Sequence, residues 1–522
     1  MPNQIKITWQ KLGELLEAPP SHHTVELRNA LTKQLDSLMA KNEVYLRQRS
    51  RATWLKAGDC NSKFFHYKAS SRRRRNTISA LEDEHGRWQT TEQEVVDGVR
   101  GRVTEEMNQA LLVEFTAEEI KIALFQMHPS KAPGLDGFSP FFYQKYWQIV
   151  GEDVVAAVLH FFKMGKLLKK INFTHVALIP KVHEPKNMMQ LRPISLCNVL
   201  YKIGAKVLAT RLKEILPTLI SDTQSAFVPG RAISDNSIVA FELLHMMHKK
   251  NQGRHGYLAL KIDMSKAYDR VEWSFLEALM KGMGFAPQWI QLIMDCVTTV
   301  SYSFMLNGNP VGYVIPQRGL RQGDPLSPYL LLLCAEALSS LILQAERRNL
   351  LHGVNLCRGA LSVSHLFFTD DSFLFLRANR QDCEQLSIIF QKYEMVSSQK
   401  IHLEKSCVSF SNNIDHTDQD NLAAVLGVRR VDQHDVYLGL PTHVGRLRRQ
   451  CFNSLKERIW KKIQGWKAKL LSFVGKEILL KVVAQAVPIY MMNCFLIPKC
   501  LRDEIQQVMA RYWWGNHRDF DG

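Results

Sequence analysis

Along the 522-residue chain, apolar positions recur at helical spacing over long stretches and alternate, as in strands, over a few short ones. The first hundred residues are polar and helical in pattern, with Leu31, Leu35, Leu38 and Met39 on one face. A helix start is written at Thr116-Ala117-Glu118-Glu119. Thr116 and Glu119 have capping-box spacing, and Ile120, Leu124 and Met127 follow on a single face. Pro133, Gly134 and Gly137 of SKAPGLDG then end that helix. From about residue 138 to 215 the pattern predicts helix, a strand at VALIPK, a turn at LRPISL and another helix. Near Gly256 a short strand, YLALKIDM, precedes a helix through Trp273, Leu276, Leu279 and Met280. Residues 301–315 alternate about Asn307-Gly308, a dipeptide favoured in two-residue hairpin turns. Residues 361–377 alternate again, and their apolar arms meet at Asp370-Asp371. Beyond about residue 410 the chain turns helical and basic, with Trp460, Ile463, Trp466 and Leu470 at helix spacing. Strands scattered among helices, without regular βα alternation, predict an α+β fold.

Composition sharpens this picture in three ways. Hydrophobic residues make up 46% and charged residues 22%, an ordinary globular balance that excludes disorder, and the length suggests about three domains. Lys and Arg number 67 against 50 Asp and Glu, and a net charge of +17 points to a polyanionic partner such as nucleic acid. The densest run is Arg72-Arg73-Arg74-Arg75, which suits a phosphate backbone and equally a solvated surface or a nuclear-import tag. Ten cysteines contain no CxxC pair, which removes a zinc module or disulfide framework. No run of about 18 apolar residues is seen, so no membrane is expected among the partners. No GxxxxGK[ST] loop and no GxSxG elbow occurs, which removes P-loop ATPases and the common hydrolase reading.

Two segments place carboxylates where a strand ends. In LKIDMSKAYD, Asp263 follows the arm Tyr257 to Ile262; in HLFFTDDSFLFL, Asp370-Asp371 sits between Leu366-Phe367-Phe368 and Phe373-Leu374-Phe375. Adjacent aspartates flanked by buried arms repel one another unless a cation compensates. Hard Mg²⁺ takes one or two carboxylates plus phosphate oxygens. With Asp263 alongside, the site could hold two ions about 3.5–4 Å apart, an arrangement for phosphoryl transfer. An acidic pair alone is more often a plain polar turn; its surroundings reverse that reading here.

Those surroundings are KAPGLDG, LIPK, LRPISLCNVLYKI, QSAFVPGR, DMSKAYDRVEW, RGLRQGDPLSPYL, FTDD and YLGLPT, in that order. Together they resemble the polymerase of plant non-LTR (LINE-type) retrotransposons, over nearly the whole chain. The resemblance implies a right-hand polymerase fold, with fingers, a palm built on an antiparallel sheet and a helical thumb, after an N-terminal helical extension. Its expected boundaries are 1–110 for the extension, 111–410 for fingers and palm, and 411–522 for primer-grip hairpin and thumb. It implies an RNA-directed DNA polymerase, a nucleotidyltransferase that extends a DNA 3′-OH on an RNA template. The partners implied are RNA template, DNA primer or target and deoxynucleoside triphosphates. Two Mg²⁺ ions are the expected cofactors, with Mn²⁺ as the alternative, on Asp263, Asp370 and Asp371.

Carried over position by position, Tyr268 matches the residue whose ring excludes a ribose 2′-OH, and Lys181 and Arg192 match finger residues that clamp the triphosphate. Gln322 and Gly323 match the segment beneath the nascent base pair, and Lys405 the lysine that protonates pyrophosphate. Tyr437, Leu438 and Gly439 match the primer grip. Lys461, Lys462 and Lys467 would follow the duplex backbone from the thumb. Each has a plain structural alternative, a packing aromatic for Tyr268 and surface cations for the lysines. Thr369 departs from the alanine common in the family. An endonuclease domain is expected in a full-length element protein. Priming on chromosomal DNA implies the nucleus. Two rival readings stay open: a catalytically inactive fragment that only binds nucleic acid, and an intron maturase-like protein.

Overall fold

The computed structural model describes residues 81–82, 88–89, 91–357, 359, 361–369, 371–443, 448–464 and 472–514. The chain forms two compact units, Met1–Thr91 and Glu92–Gly522. In the first, the described residues are an antiparallel pair, Leu81–Glu82 with Trp88–Gln89. Arg72, Arg73, Arg74 and Arg75 lie outside the described residues.

The second unit is built on two sheets. The smaller consists of β1 (Phe173–Pro180), β2 (Leu191–Leu196), β4 (Ser301–Leu306) and β5 (Asn309–Val314) in the order β2-β1-β4-β5. The larger holds β3 (Tyr257–Asp263), β6 (His365–Phe368), β7 (Asp371–Arg377), β8 (Cys407–Phe410) and β9 (Arg429–Arg430) in the order β6-β7-β3-β8-β9. Its pairings are antiparallel except the last, β8 with β9. A separate hairpin joins β10 (Val436–Tyr437) to β11 (Leu440–Pro441).

Local sequence accounts for much of this. Helix α1 (Ala117–Phe125) opens with the capping box: Thr116 Oγ1 accepts the Glu119 N–H at 3.2 Å, and Glu119 Oε2 accepts the Thr116 N–H at 2.9 Å. Asn307 and Gly308 both take positive φ, 50° and 82°, which is the turn that joins β4 to β5. Residues 191–196, predicted as a turn, are instead the edge strand β2. Pro193 has no N–H to donate, and an edge strand tolerates that on its open side.

The larger sheet is buried on both faces. One face (Leu258, Leu260, Ile262, Leu374, Leu376) belongs to the main core with α2 (Val199–Leu219), α4 (Trp273–Met283), α5 (Ser327–Arg347) and α6 (Arg380–Ser397). The other face (Ala259, Phe373, Phe375) packs against Ala240, Leu243 and Met247 of α3 (Ile233–Lys249) and against Tyr437. Val95, Val99, Val103 and Leu111 also join the main core, so the stretch after Glu92 packs with the sheets. A second core gathers α7 (Arg448–Gln464), α8 (Ala486–Cys494) and α9 (Lys499–Trp514) around Phe452, Ile459, Leu501 and Ile505.

Among the described residues, two segments are long and apolar enough to cross a bilayer by length and composition, although the sequence shows no unbroken apolar run of about 18 residues: Ser327–Arg347 and Phe473–Cys494. The first is the central helix of the core, 72% buried, and its apolarity is explained by that packing. The second is 17% buried and is broken by a π-helical turn at Leu480–Ala484.

Candidate active site

Asp263 ends β3 and Asp371 begins β7, and the register sets them directly opposite each other. Facing residues of an antiparallel pair project to the same side, with Cα atoms about 4.5–5.5 Å apart. Two carboxylates more than a hundred positions apart in sequence therefore share one sheet face. Asp370 lies outside the described residues. Immediately before it, Thr369 adopts φ 57°, a left-handed conformation costly for a β-branched side chain, and its Oγ1 donates to Phe368 O at 2.6 Å.

The segment 401–406 closes around Asp263. The His402 N–H donates to Asp263 O at 2.8 Å, and the Asp263 N–H donates to Ser406 Oγ at 3.3 Å. This turn delivers Lys405, whose Nζ stands 3.5 Å from Asp263 Oδ2. The donor set fits a hard divalent cation: two carboxylates on one face, both reached by solvent. Among the described residues no group of three metal-binding side chains forms.

Tyr268 lies on the single helical turn Ala267–Arg270 just past Asp263, partly buried against the main core. Its carbonyl accepts the Leu320 N–H at 2.7 Å, which ties it to the GLRQGDP loop. That loop docks on β2: the Ser195 N–H donates to Gln322 O at 2.8 Å. Gly323 sits there at φ 106°, and a Cβ on it would come within 3.2 Å of Ser195 O. Arg192 lies on the same strand β2, paired with Ile179 of β1. Lys181, two residues past Ile179, continues the ladder through its N–H to Gln190 O at 2.8 Å, so both exposed cations project from one face. The structure thus brings Gln322 and Gly323 against the Arg192 strand, with Lys181 beside it.

The sequence did not single out Arg321, which helps to hold this loop. Arg321, 4% exposed, pairs with Asp324 at 3.2 Å and stacks its guanidinium 3.9 Å from the centre of the Tyr201 ring. Asp324 accepts hydrogen bonds from the Tyr201 hydroxyl at 2.7 Å and the Leu326 N–H at 2.9 Å. Burial opposes the guanidinium charge, and the surrounding acidic groups more than offset it, so the pKa of Arg321 rises. An arginine inside a basic loop gives no sequence sign that it will be buried.

Tyr437 requires a correction. Expected to touch nucleic acid, it is 2% exposed, and its hydroxyl donates to Asn236 Oδ1 at 2.8 Å. Its ring packs edge-on against Phe373, with centroids 4.7 Å apart, so it holds the hairpin instead of presenting a ring to a strand. Leu438 and Gly439 form the accessible tip, with φ of 49° and 80°. Lys461 and Lys462 are exposed on α7, whereas Lys467 lies outside the described residues.

Paired acidic groups at the mouth of a sheet, with cations arrayed on a neighbouring sheet, are what chemistry on phosphate esters requires. Residues 179–441, half of the chain, match the family model described as reverse transcriptase (RNA-dependent DNA polymerase), and the chain belongs to that family. It is 27% identical to the Transposon TX1 uncharacterized 149 kDa protein of Xenopus laevis, over 80% of this chain and 31% of that one. It is 26% identical to the retrovirus-related Pol polyprotein from type-2 retrotransposable element R2DM of Drosophila melanogaster, over 47% of this chain and 22% of that one. A stretch of 69 residues, 13% of this chain, is 49% identical to an uncharacterized mitochondrial protein of Arabidopsis thaliana, covering 57% of it. The likeness is to LINE-type reverse transcriptases. The chain spans less than a third of the length of either retrotransposon relative.

Proposed function

We propose that this chain extends a DNA 3′-OH on an RNA template, adding deoxynucleotides by two-metal nucleotidyl transfer. The observation that carries the reading is the direct pairing of Asp263 with Asp371 across β3 and β7. With Asp370, these residues would hold Mg²⁺, which when bound supplies charge neutralisation and activation of the attacking hydroxyl. The chain's own residues do the rest. Lys181 and Arg192 bind triphosphate oxygens, the guanidinium as a fork and the ammonium as a point charge. Tyr268, on the turn just past Asp263, excludes a ribose 2′-OH with its ring. Gln322 and Gly323, held on β2, lie beneath the nascent pair. Lys405, whose ammonium lies beside Asp263, donates a proton to the leaving group. The hairpin 436–441 holds the primer end, and Lys461 and Lys462 follow the backbone of the duplex.

The test is primer extension on a poly-rA template with dTTP and Mg²⁺. Wild type should incorporate, and Asp370→Ala should not; incorporation that survives the substitution sinks the site assignment. A second reading, nucleic-acid binding without synthesis, draws on the strained Thr369 beside the acidic pair. Salt-dependent RNA binding with no incorporation, restored by Thr369→Ala, would favour it.

A further inference from the structure

Helix α3 supplies no residue to the site described above, yet two adjacent side chains on it connect three parts of the molecule. Asn236, 2% exposed, donates its amide to Phe367 O at 3.0 Å. Phe367 is on β6, the edge strand that runs into the acidic turn, and it pairs with Ser372 next to Asp371. The same Asn236 accepts a hydrogen bond from the Tyr437 hydroxyl on Oδ1 at 2.8 Å. One amide therefore joins the catalytic strand to the 436–441 hairpin. Its neighbour Ser237 lies 3.0 Å from the hydroxyl of Tyr490, on α8, and Tyr490 donates to Leu438 O at 3.1 Å.

The hairpin is fixed over the acidic face by one further bond. Lys261 projects from β3 on the Asp263 side and donates to Val436 O at 2.9 Å. The Tyr437 ring rests on Phe373, two residues from Asp371. Among the described residues β6 is the edge of its sheet, and the loop 223–225 and Asn236 take its outward groups. The Phe367 N–H donates to Thr223 O at 2.8 Å, and its carbonyl accepts the Ser225 N–H at 3.1 Å. A buried amide that donates to one element and accepts from another fixes both distance and orientation, since neither bond survives a slide of either partner.

We propose that Asn236 is a positioning residue for nucleotide addition: through Tyr437 it sets the hairpin, and hence the primer 3′ end, against the Asp263–Asp371 pair. This rests on the polymerase reading above. Reactivity is steep in alignment, and a displacement of about 1 Å can cost on the order of 10²-fold in rate. Asn236 touches no reactant itself.

The experiment is pre-steady-state dTTP incorporation on the full chain with primer–template in excess, with active sites counted from burst amplitude. Asn236→Ala and Tyr437→Phe should each lower the rate per active site by about 10-fold or more, with the KM for dTTP unchanged. The double variant should be no slower than the slower single one, because both remove the same link. Asn236→Asp keeps the acceptor for Tyr437 and loses the donor to Phe367 O, so it should fall between. A merely structural role would lower burst amplitude and leave the rate per site intact, which overturns the proposal, as do multiplying single effects. Wild type that fails to incorporate would count against the polymerase reading instead. In that case hydrogen exchange decides: the proposal requires faster exchange at 436–441 in Asn236→Ala, and unchanged protection overturns it.

Discussion

The ammonium of Lys405 stands 3.5 Å from Oδ2 of Asp263, so a side chain of the 401–406 turn supplies a counter-charge to the carboxylate that ends β3. The pair is open to solvent and adds less than about 1 kcal/mol to stability. Its importance lies in competition, because a divalent cation and an ammonium seek the same oxygen. Lys405→Met is therefore expected to lower the Mg²⁺ concentration for half-maximal incorporation several-fold. It should also reduce the maximal rate by about 10²-fold, the contribution of a positioned proton donor. A Mg²⁺ titration of primer extension reads both; an unchanged maximal rate would remove Lys405 from the chemistry.

Asp371 and Asp263 face each other across an antiparallel pair, and like charges so placed are destabilising by roughly 0.2–1 kcal/mol. Asp371→Asn should raise the Mg²⁺-free midpoint of denaturant unfolding while cutting incorporation by at least about 10²-fold. Stability and activity moving in opposite directions mark a functional pair. A drop in both would assign Asp371 to the framework.

Gly323 holds φ 106° with Ser195 O close to where a Cβ would stand. Gly323→Ala is expected to cost about 1–2 kcal/mol in chemical denaturation. It should also weaken incorporation, because the Gln322 carbonyl loses its place on β2. Retained stability with full activity would show that the loop reaches its position by another backbone path.

Two buried histidines set an acid limit. Burial lowers the pKa of His434 from 6.5 to about 4 and that of His365 to about 3. Each folded value lies below the unfolded one, so the unfolded chain binds more protons between them, and stability falls as pH drops through that window. For His434 the loss between pH 6.5 and 4 reaches about 3 kcal/mol. Urea midpoints measured from pH 7 to 4 should decline, and His434→Gln should flatten the slope. A flat profile in wild type would mean that these rings ionise in place.

Much of the local structure was legible in the sequence because it rests on short-range chemistry. Thr116 and Glu119 wrote their own helix start, Asn307-Gly308 its own turn, and the apolar arms about Asp370-Asp371 their own strands. LRPISL misled for the opposite reason: Pro193 reads locally as a break, and only the strand order makes its position an open edge.

What the sequence by itself determined was the inventory: which residues can carry charge at strand ends, which turns can form, and which family the ordered motifs resemble. The tertiary structure alone decided which of these meet. Asp263 with Asp371, Gln322 with Ser195, and Asn236 with both Phe367 and Tyr437 are pairings across 108 to 201 positions. Burial decided the rest, turning Tyr437 inward and Arg321 into a buried brace. Contact at long range depends on how whole faces pack against one another, and no local run of residues encodes that packing.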